Sequence, residues 1–384
     1  MKQALRRALS SLLLLALVSC SLLDGRPERI DVYVGTYSGG TSEGIYRLDL
    51  DPKSGALSGL RVAAKTKNPS FLAIHPNGRN LYAVGEHTDL DFKKSGAIVA
   101  YAIDPATGKL SELNSAPSGG AGPCHLVVDR SGRSVLAANY GGGSVCALRI
   151  RDDGSLGAMS AFVQHHGSSA EKSRQSEPHA HSINVDPENR FACAADLGVD
   201  KVLVYRFDSE QGTLAANDPP AAEVTPGSGP RHFAFHPSGR FAYVINELAS
   251  TVTAFTWDAL AGKLAEIQTI STLPAGPVAG NSTAEVSVHR SGRFLYGSNR
   301  GHDSIAVFRI DQESGRLTHV ENEPTGGKTP RNFAIDPTGT FLLAANQATE
   351  NIVVFRIDED SGALESTGHQ LEVPKPVCVR FVAR

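Results

Sequence analysis

Residues able to move protons or hold anions recur in four stretches of this 384-residue chain. His179 and His181 lie in PHAHSINVDP, and Arg231, His232 and Glu247 in GPRHFAFHPSGRFAYVINELASTV. Asn299 and Arg300 lie in SGRFLYGSNRGHDSIAVF, and Arg331 and Asn346 in TPRNFAIDPTGTFLLAANQ. An imidazole or a carboxylate exchanges protons with a reacting group when its surroundings tune it towards neutral pH. A guanidinium grips a phosphate or carboxylate through two parallel hydrogen bonds. Three guanidiniums held together repel one another unless an anion or carboxylates offset them, so Arg231, Arg300 and Arg331 point to an anionic ligand.

What must position these groups is a repeat. A turn of the form small/polar-Gly-x-Leu recurs with its glycine at 55, 108, 154, 212, 262, 315 and 362. Each is preceded by an alternating apolar run such as KVLVYRFD or NIVVFRID, which reads as a strand. Six of the seven units carry a second motif upstream, such as HPSGRFAYVI or DPTGTFLLAA, a tight turn between two apolar runs. Four strands in about fifty residues make one propeller blade, so the expected fold is all-β, a seven-bladed β-propeller. The N-terminal segment from Ile30 lacks an inner strand and the chain ends in VCVRFVA, so the last blade is expected to be closed by N- and C-terminal strands.

In such a blade the start of the innermost strand and the end of the second share one face. Counting back from each turn aligns Ser70/Phe71, Cys124/His125, His181/Ser182, Arg231/His232, Ala284/Glu285 and Arg331/Asn332. The second strands end at Glu86, Asn139, Asp196, Asn246-Glu247, Asn299-Arg300 and Asn346-Gln347. A polar ring at one mouth of the channel is the expected site. His181, Glu247, Arg231 and Arg300 stand as its catalytic candidates, and Arg331, His179, His232, Asn299, Asn346 and Glu285 as substrate contacts. The recurrent asparagines also suit turn conformations, which gives them a structural reading. Arg79, Arg240 and Arg293 belong to the turns of the opposite face.

His179 and His181 are spaced as a metal pair in a strand, with Glu247 or Asp196 as a third ligand, but no ligand-rich cluster accompanies them. Neither a metal nor a cofactor is expected. His165 and His166 fall in a long polar connection, 164–178, that can lie over the mouth, and read as solvated loop residues.

Composition narrows the class further. With 40 acidic and 37 basic residues the net charge is −3, which excludes a nucleic-acid binder working through bulk charge. Residues 1–19 read as an export signal: Lys2, Arg6 and Arg7 precede an apolar stretch too short to span a bilayer. The run Leu17-Val18-Ser19-Cys20 resembles a lipoprotein cleavage box, which makes Cys20 a lipidated N-terminus, 20–29 a linker and 30–384 the propeller. Ser21 favours the periplasmic face of the outer membrane by the same resemblance, with no membrane contact beyond the anchor. Cys124, Cys146, Cys193 and Cys378 are scattered and read as small buried hydrophobes.

The four quoted segments resemble the lactonase family of seven-bladed propellers, which includes bacterial 6-phosphogluconolactonase and fungal carboxymuconate lactonizing enzyme. The likeness covers nearly the whole mature chain. It implies that His181, Arg231, Glu247 and Arg300 carry the chemistry beside Arg331 as an anion-binding neighbour. The implied substrate is a small anionic sugar lactone, most like 6-phosphogluconolactone, opened by water; the size of the propeller, apart from the resemblance, suits a monomer. Ala284-Glu285-Val286 departs from the family pattern and leaves the role of Glu285 open. A muconate-type cycloisomerase holding a dicarboxylate, or a non-catalytic propeller binding a carbohydrate or protein, remain as alternatives. An exported enzyme also meets a different lactone pool from the cytoplasm, which favours an unphosphorylated substrate.

Overall fold

The structure is a computed structural model that describes residues 27–86 and 95–384; the segment read above as an export signal, and Cys20, lie outside the described residues. Seven four-stranded antiparallel sheets follow one another along the chain. One of them runs from the channel outwards as Pro230–Phe235, Phe241–Asn246, Thr251–Asp258 and Lys263–Ser271. Phe241–Asn246 is buried throughout, because both of its faces pack on neighbouring blades, whereas Lys263–Ser271 is exposed at several of its positions. The apolar core is accordingly divided among the gaps between blades. The ring closes as expected: Pro376–Ala383 pairs antiparallel with Ile30–Thr36, whose sheet continues through Gly44–Leu50 and Leu57–Lys65.

Two turns per blade set the height of every side chain at the channel. At the inner turn an aspartate accepts backbone N–H groups: Asp186 from Arg190 and Phe191 at 2.6 and 2.7 Å, Asp336 from Thr340 and Phe341 at 2.8 and 2.7 Å. Where histidine replaces it, the ring reaches the next blade: His236 Nε2 lies 2.8 Å from the Gly292 carbonyl and His289 Nε2 2.9 Å from that of Gly339. Arg240 and Arg293 stack over Phe241 and Phe294 on this face, away from the mouth, as expected of turn residues. At the outer turn Gly315 has φ of 70°, and a β-carbon there would meet the Phe241 ring at 2.4 Å. Its carbonyl accepts the Tyr243 hydroxyl at 2.9 Å, a bond between blades repeated by Tyr296 and Gly362 at 2.8 Å. The four cysteines of the propeller are buried and unbridged.

Candidate active site

Irregular pairing turns the key side chains towards the channel. Between Pro230 and His232 the innermost strand advances two residues while its partner advances one, so Arg231 is the extra residue of a β-bulge. The same slip places Cys124, His181 and Arg331 in equivalent positions. A bulge re-aims a side chain that regular alternation would send into the sheet. Glu247 and Arg300 come from the ends of second strands, where the partner strand has just begun.

Cys124, His181, Glu247, Arg300 and Arg331 border a cavity of about 380 Å³ that is also lined by Glu86, Tyr140 and Arg174, whereas Arg231, expected in its wall, lies behind it and reaches it only through Glu247. Glu247 is its electrostatic centre. Its Oε2 accepts Arg231 Nε at 3.0 Å and lies 2.9 Å from Arg300, while Oε1 accepts Arg174 at 2.8 Å. Burial alone would raise its carboxyl, but Arg300 and Arg231 outweigh that and hold it far below the usual carboxylate range. Glu247 therefore stays ionised and makes a poor proton acceptor. Arg300 pays the opposite penalty: burial first, then Arg231, pushes it down to about 10, which still leaves it charged at neutral pH. Backbone carbonyls accept from both guanidiniums, Ala284 from Arg231 and Thr283 from Arg300, each at 2.7 Å, while Arg300 Nε is buried with no partner among the described residues.

Arg331 is different. It donates to the Tyr37 hydroxyl at 2.8 Å and sits over that ring, and among the described residues no carboxylate lies within ion-pair distance of it. Tyr37 passes the interaction to Glu86 at 3.3 Å, and Glu86 in turn accepts Ser70. With Arg231 behind Glu247, four guanidiniums thus stand against two carboxyls, Glu247 and Glu86, and three of the guanidiniums are around the opening itself. His181 completes the wall. Burial, reinforced by Arg231 and His232, drops it well below its usual range, so its imidazole is uncharged.

Several expected contacts lie elsewhere. Asn299 and Asn346 are fully buried and turn away from the channel, donating at 3.0 Å to the carbonyls of Thr272 and Thr325, where the chain leaves the outermost strand of the preceding blade. Strand alternation explains the correction: Arg300 and Asn299 are neighbours, so only one can face the channel. His179 stacks on Tyr140 with ring centroids 4.5 Å apart and bonds its carbonyl, outside the cavity wall. His232 lies deeper, and Glu285 lines the cavity on the opposite side of the channel. Asp196 is occupied by His165 and by the backbone of His179 and Gly198. His165 itself is not solvated: it is buried between Asp196 at 2.6 Å and the Tyr205 hydroxyl at 2.8 Å.

Residues 31–381 match the family described as Lactonase, 7-bladed beta-propeller. The chain belongs to that lactonase family. It is 41% identical over 350 residues to the 6-phosphogluconolactonase of Bacillus subtilis, covering 91% of this chain and 97% of the relative. The 6-phosphogluconolactonase of Formosa agariphila is 36% identical over 286 residues, 73% of this chain and 79% of its own. A solved structure, the periplasmic gluconolactonase of Pseudomonas aeruginosa, superimposes with a TM-score of 0.86 at 36% identity, covering 92% of this chain and 99% of that one.

Three groups at the mouth lie outside the expectations drawn from the repeats: Tyr140 and Arg174 line the cavity, and Tyr37 holds Arg331. Tyr37 and Tyr140 follow the second strands of their blades at the position that Glu247 and Arg300 hold in theirs, so aligning the strand ends one residue further would have found them. Arg174 comes from the connection 164–178, which does reach the mouth: Gln175, fully buried, ties it down by donating to the Leu197 carbonyl at 2.8 Å. The only available signal for Arg174 was a basic residue in a connection longer than the others.

Proposed function

We propose that this protein is a hydrolase of an anionic sugar lactone, 6-phosphogluconolactonase-like, working in the cavity bordered by His181, Arg300 and Arg331. The observation that carries the reading is Arg331, a guanidinium at the cavity wall with no carboxylate among the described residues within ion-pair distance of it. Such a group favours a substrate that brings its own phosphate or carboxylate. The names of the related 6-phosphogluconolactonases support the reaction class.

Hydrolysis takes one proton from water, adds the water oxygen to the ring carbonyl, and returns a proton to the ring oxygen as the C–O bond breaks. His181 is the uncharged imidazole positioned to take part in that transfer. Arg300 faces the developing oxyanion, and its fixed place against Glu247 spares reorganisation during the reaction. Glu247 serves as the counter-charge that keeps Arg174, Arg231 and Arg300 together. Export as a lipoprotein through Cys20 belongs to the same proposal, and the relative named a periplasmic gluconolactonase is consistent with a lactone met outside the cytoplasm.

Proton release from freshly generated 6-phosphogluconolactone and from plain gluconolactone, followed side by side, tests the proposal. Turnover of either lactone above its spontaneous rate supports a lactonase and ranks the substrates; spontaneous rates for both reject it.

A further inference from the structure

Beneath the main cavity is a recess of about 10 Å³, close to what a single water requires. It shares Glu86, Cys124 and Arg331 with the cavity above, and Arg231 and His232 form part of its wall. His232 also borders the cavity on the far side of the channel, where Glu285 lies. The ring therefore spans from Glu285 to the recess. Its Nδ1 is 2.9 Å from Glu285 Oε1, and its Nε2 is buried with no hydrogen-bond partner. Leaving a buried ring nitrogen unpaired is unfavourable, and a recess of this size has room for the single water that would pair with it.

We propose that His232, oriented by Glu285, holds and deprotonates the water that opens the lactone. The inference rests on the hydrolase reading above and assigns within it the step which that reading left undivided. The water O–H bond breaks with its proton passing to His232 Nε2, and the oxygen lone pair forms the bond to the ring carbonyl carbon. Collapse breaks the ring C–O bond, and the ring oxygen receives the proton by way of His181, whose ring centroid is 5.4 Å from that of His232 in an edge-on arrangement. Atoms balance as lactone plus water to hydroxy acid. Burial, with Arg231 and Arg331 nearby, holds His232 well below its usual range, so the ring is uncharged, and with its Nδ1–H donated to the Glu285 carboxylate the free lone pair lies on Nε2. Glu285 is itself fixed from both sides, by Asn332 on Oε2 and by the Val286 N–H at 3.1 Å on Oε1. It is a positioning residue, since it reaches the water only through His232.

A crystal structure at a resolution that locates waters, with steady-state kinetics of the purified protein, tests this. One ordered water within hydrogen-bond distance of His232 Nε2 is expected, and an empty recess overturns the proposal. His232→Gln is expected to lower kcat by about 10²-fold or more with KM changed less than about threefold. Glu285→Gln, which preserves volume, is expected to lower kcat by about tenfold, again with little change in KM. Turnover by His232→Gln within about threefold of the unaltered protein overturns the role of the pair while leaving the lactonase reading intact. No turnover by the unaltered protein on any lactone overturns that reading and the role of the pair with it.

Discussion

Glu247 and Arg331 share one cavity and face opposite electrostatic problems. The carboxylate has three cationic partners, so its removal leaves Arg231 and Arg300 buried without a counter-charge. Glu247→Gln is expected to destabilise the fold by about 3 kcal/mol, measured by urea unfolding near neutral pH. Because the folded carboxyl titrates below its unfolded value, its contribution is present above the ordinary carboxylate range and is lost as pH falls through and below it. The variant should therefore show a flatter dependence of stability on pH in that acidic window. Arg331→Gln should behave differently, leaving the unfolding midpoint nearly unchanged and raising KM for an anionic lactone by about 10- to 100-fold. That rise should shrink as salt is added to the unaltered protein, which weakens the attraction being removed. Of these groups, Arg331, Glu247 and His181 were legible because they align between blades. His165 was not, since its partners Asp196 and Tyr205 are 31 and 40 residues away and no local pattern announces them.

At the scale of the blade, the inner-strand bulge and the outer-turn glycine place the chemistry. The alternation of apolar residues predicted the strands, but a regular strand would have sent Arg231 and His181 to the wrong face. The bulge escapes a sequence reading because one extra residue changes no composition and only slips the register. The asparagines misled for a related reason: next to Glu247 and Arg300 in sequence, Asn246 and Asn299 face the other way. Blade contacts are held by the tyrosine bonds to the outer turns. Tyr243→Phe should cost about 1 kcal/mol through loss of the bond to Gly315. Gly315→Ala should cost more, since it adds both a strained φ and a collision with Phe241. Thermal unfolding of the two variants beside the unaltered protein checks the order.

Across the whole molecule, closure decides whether the cavity exists at all. The seven-fold spacing of the glycines made the ring legible, and the missing inner strand at Ile30 made the closure legible, because an unpaired sheet edge is costly in any propeller. Beyond the strand pairing, Asp31 and Arg47 are buried together at the junction, and Arg384 Nε reaches Asp31 at 3.0 Å. Deleting residues 376–384 removes the innermost strand of that blade and should abolish the single cooperative unfolding transition, read by circular dichroism on heating. Lipidation belongs to this scale too: radiolabelled palmitate should enter the unaltered chain and not Cys20→Ser, and equal labelling would reject the anchor. The central claim is that lactone opening occurs at the mouth bordered by His181, Arg300 and Arg331. It is tested most directly by kcat/KM for freshly generated lactone in the unaltered protein and in His181→Asn, with folding of both confirmed by their melting curves. A fall of about 10²-fold or more in the folded variant is expected. An unchanged kcat/KM would contradict it and remove the chemistry from this mouth.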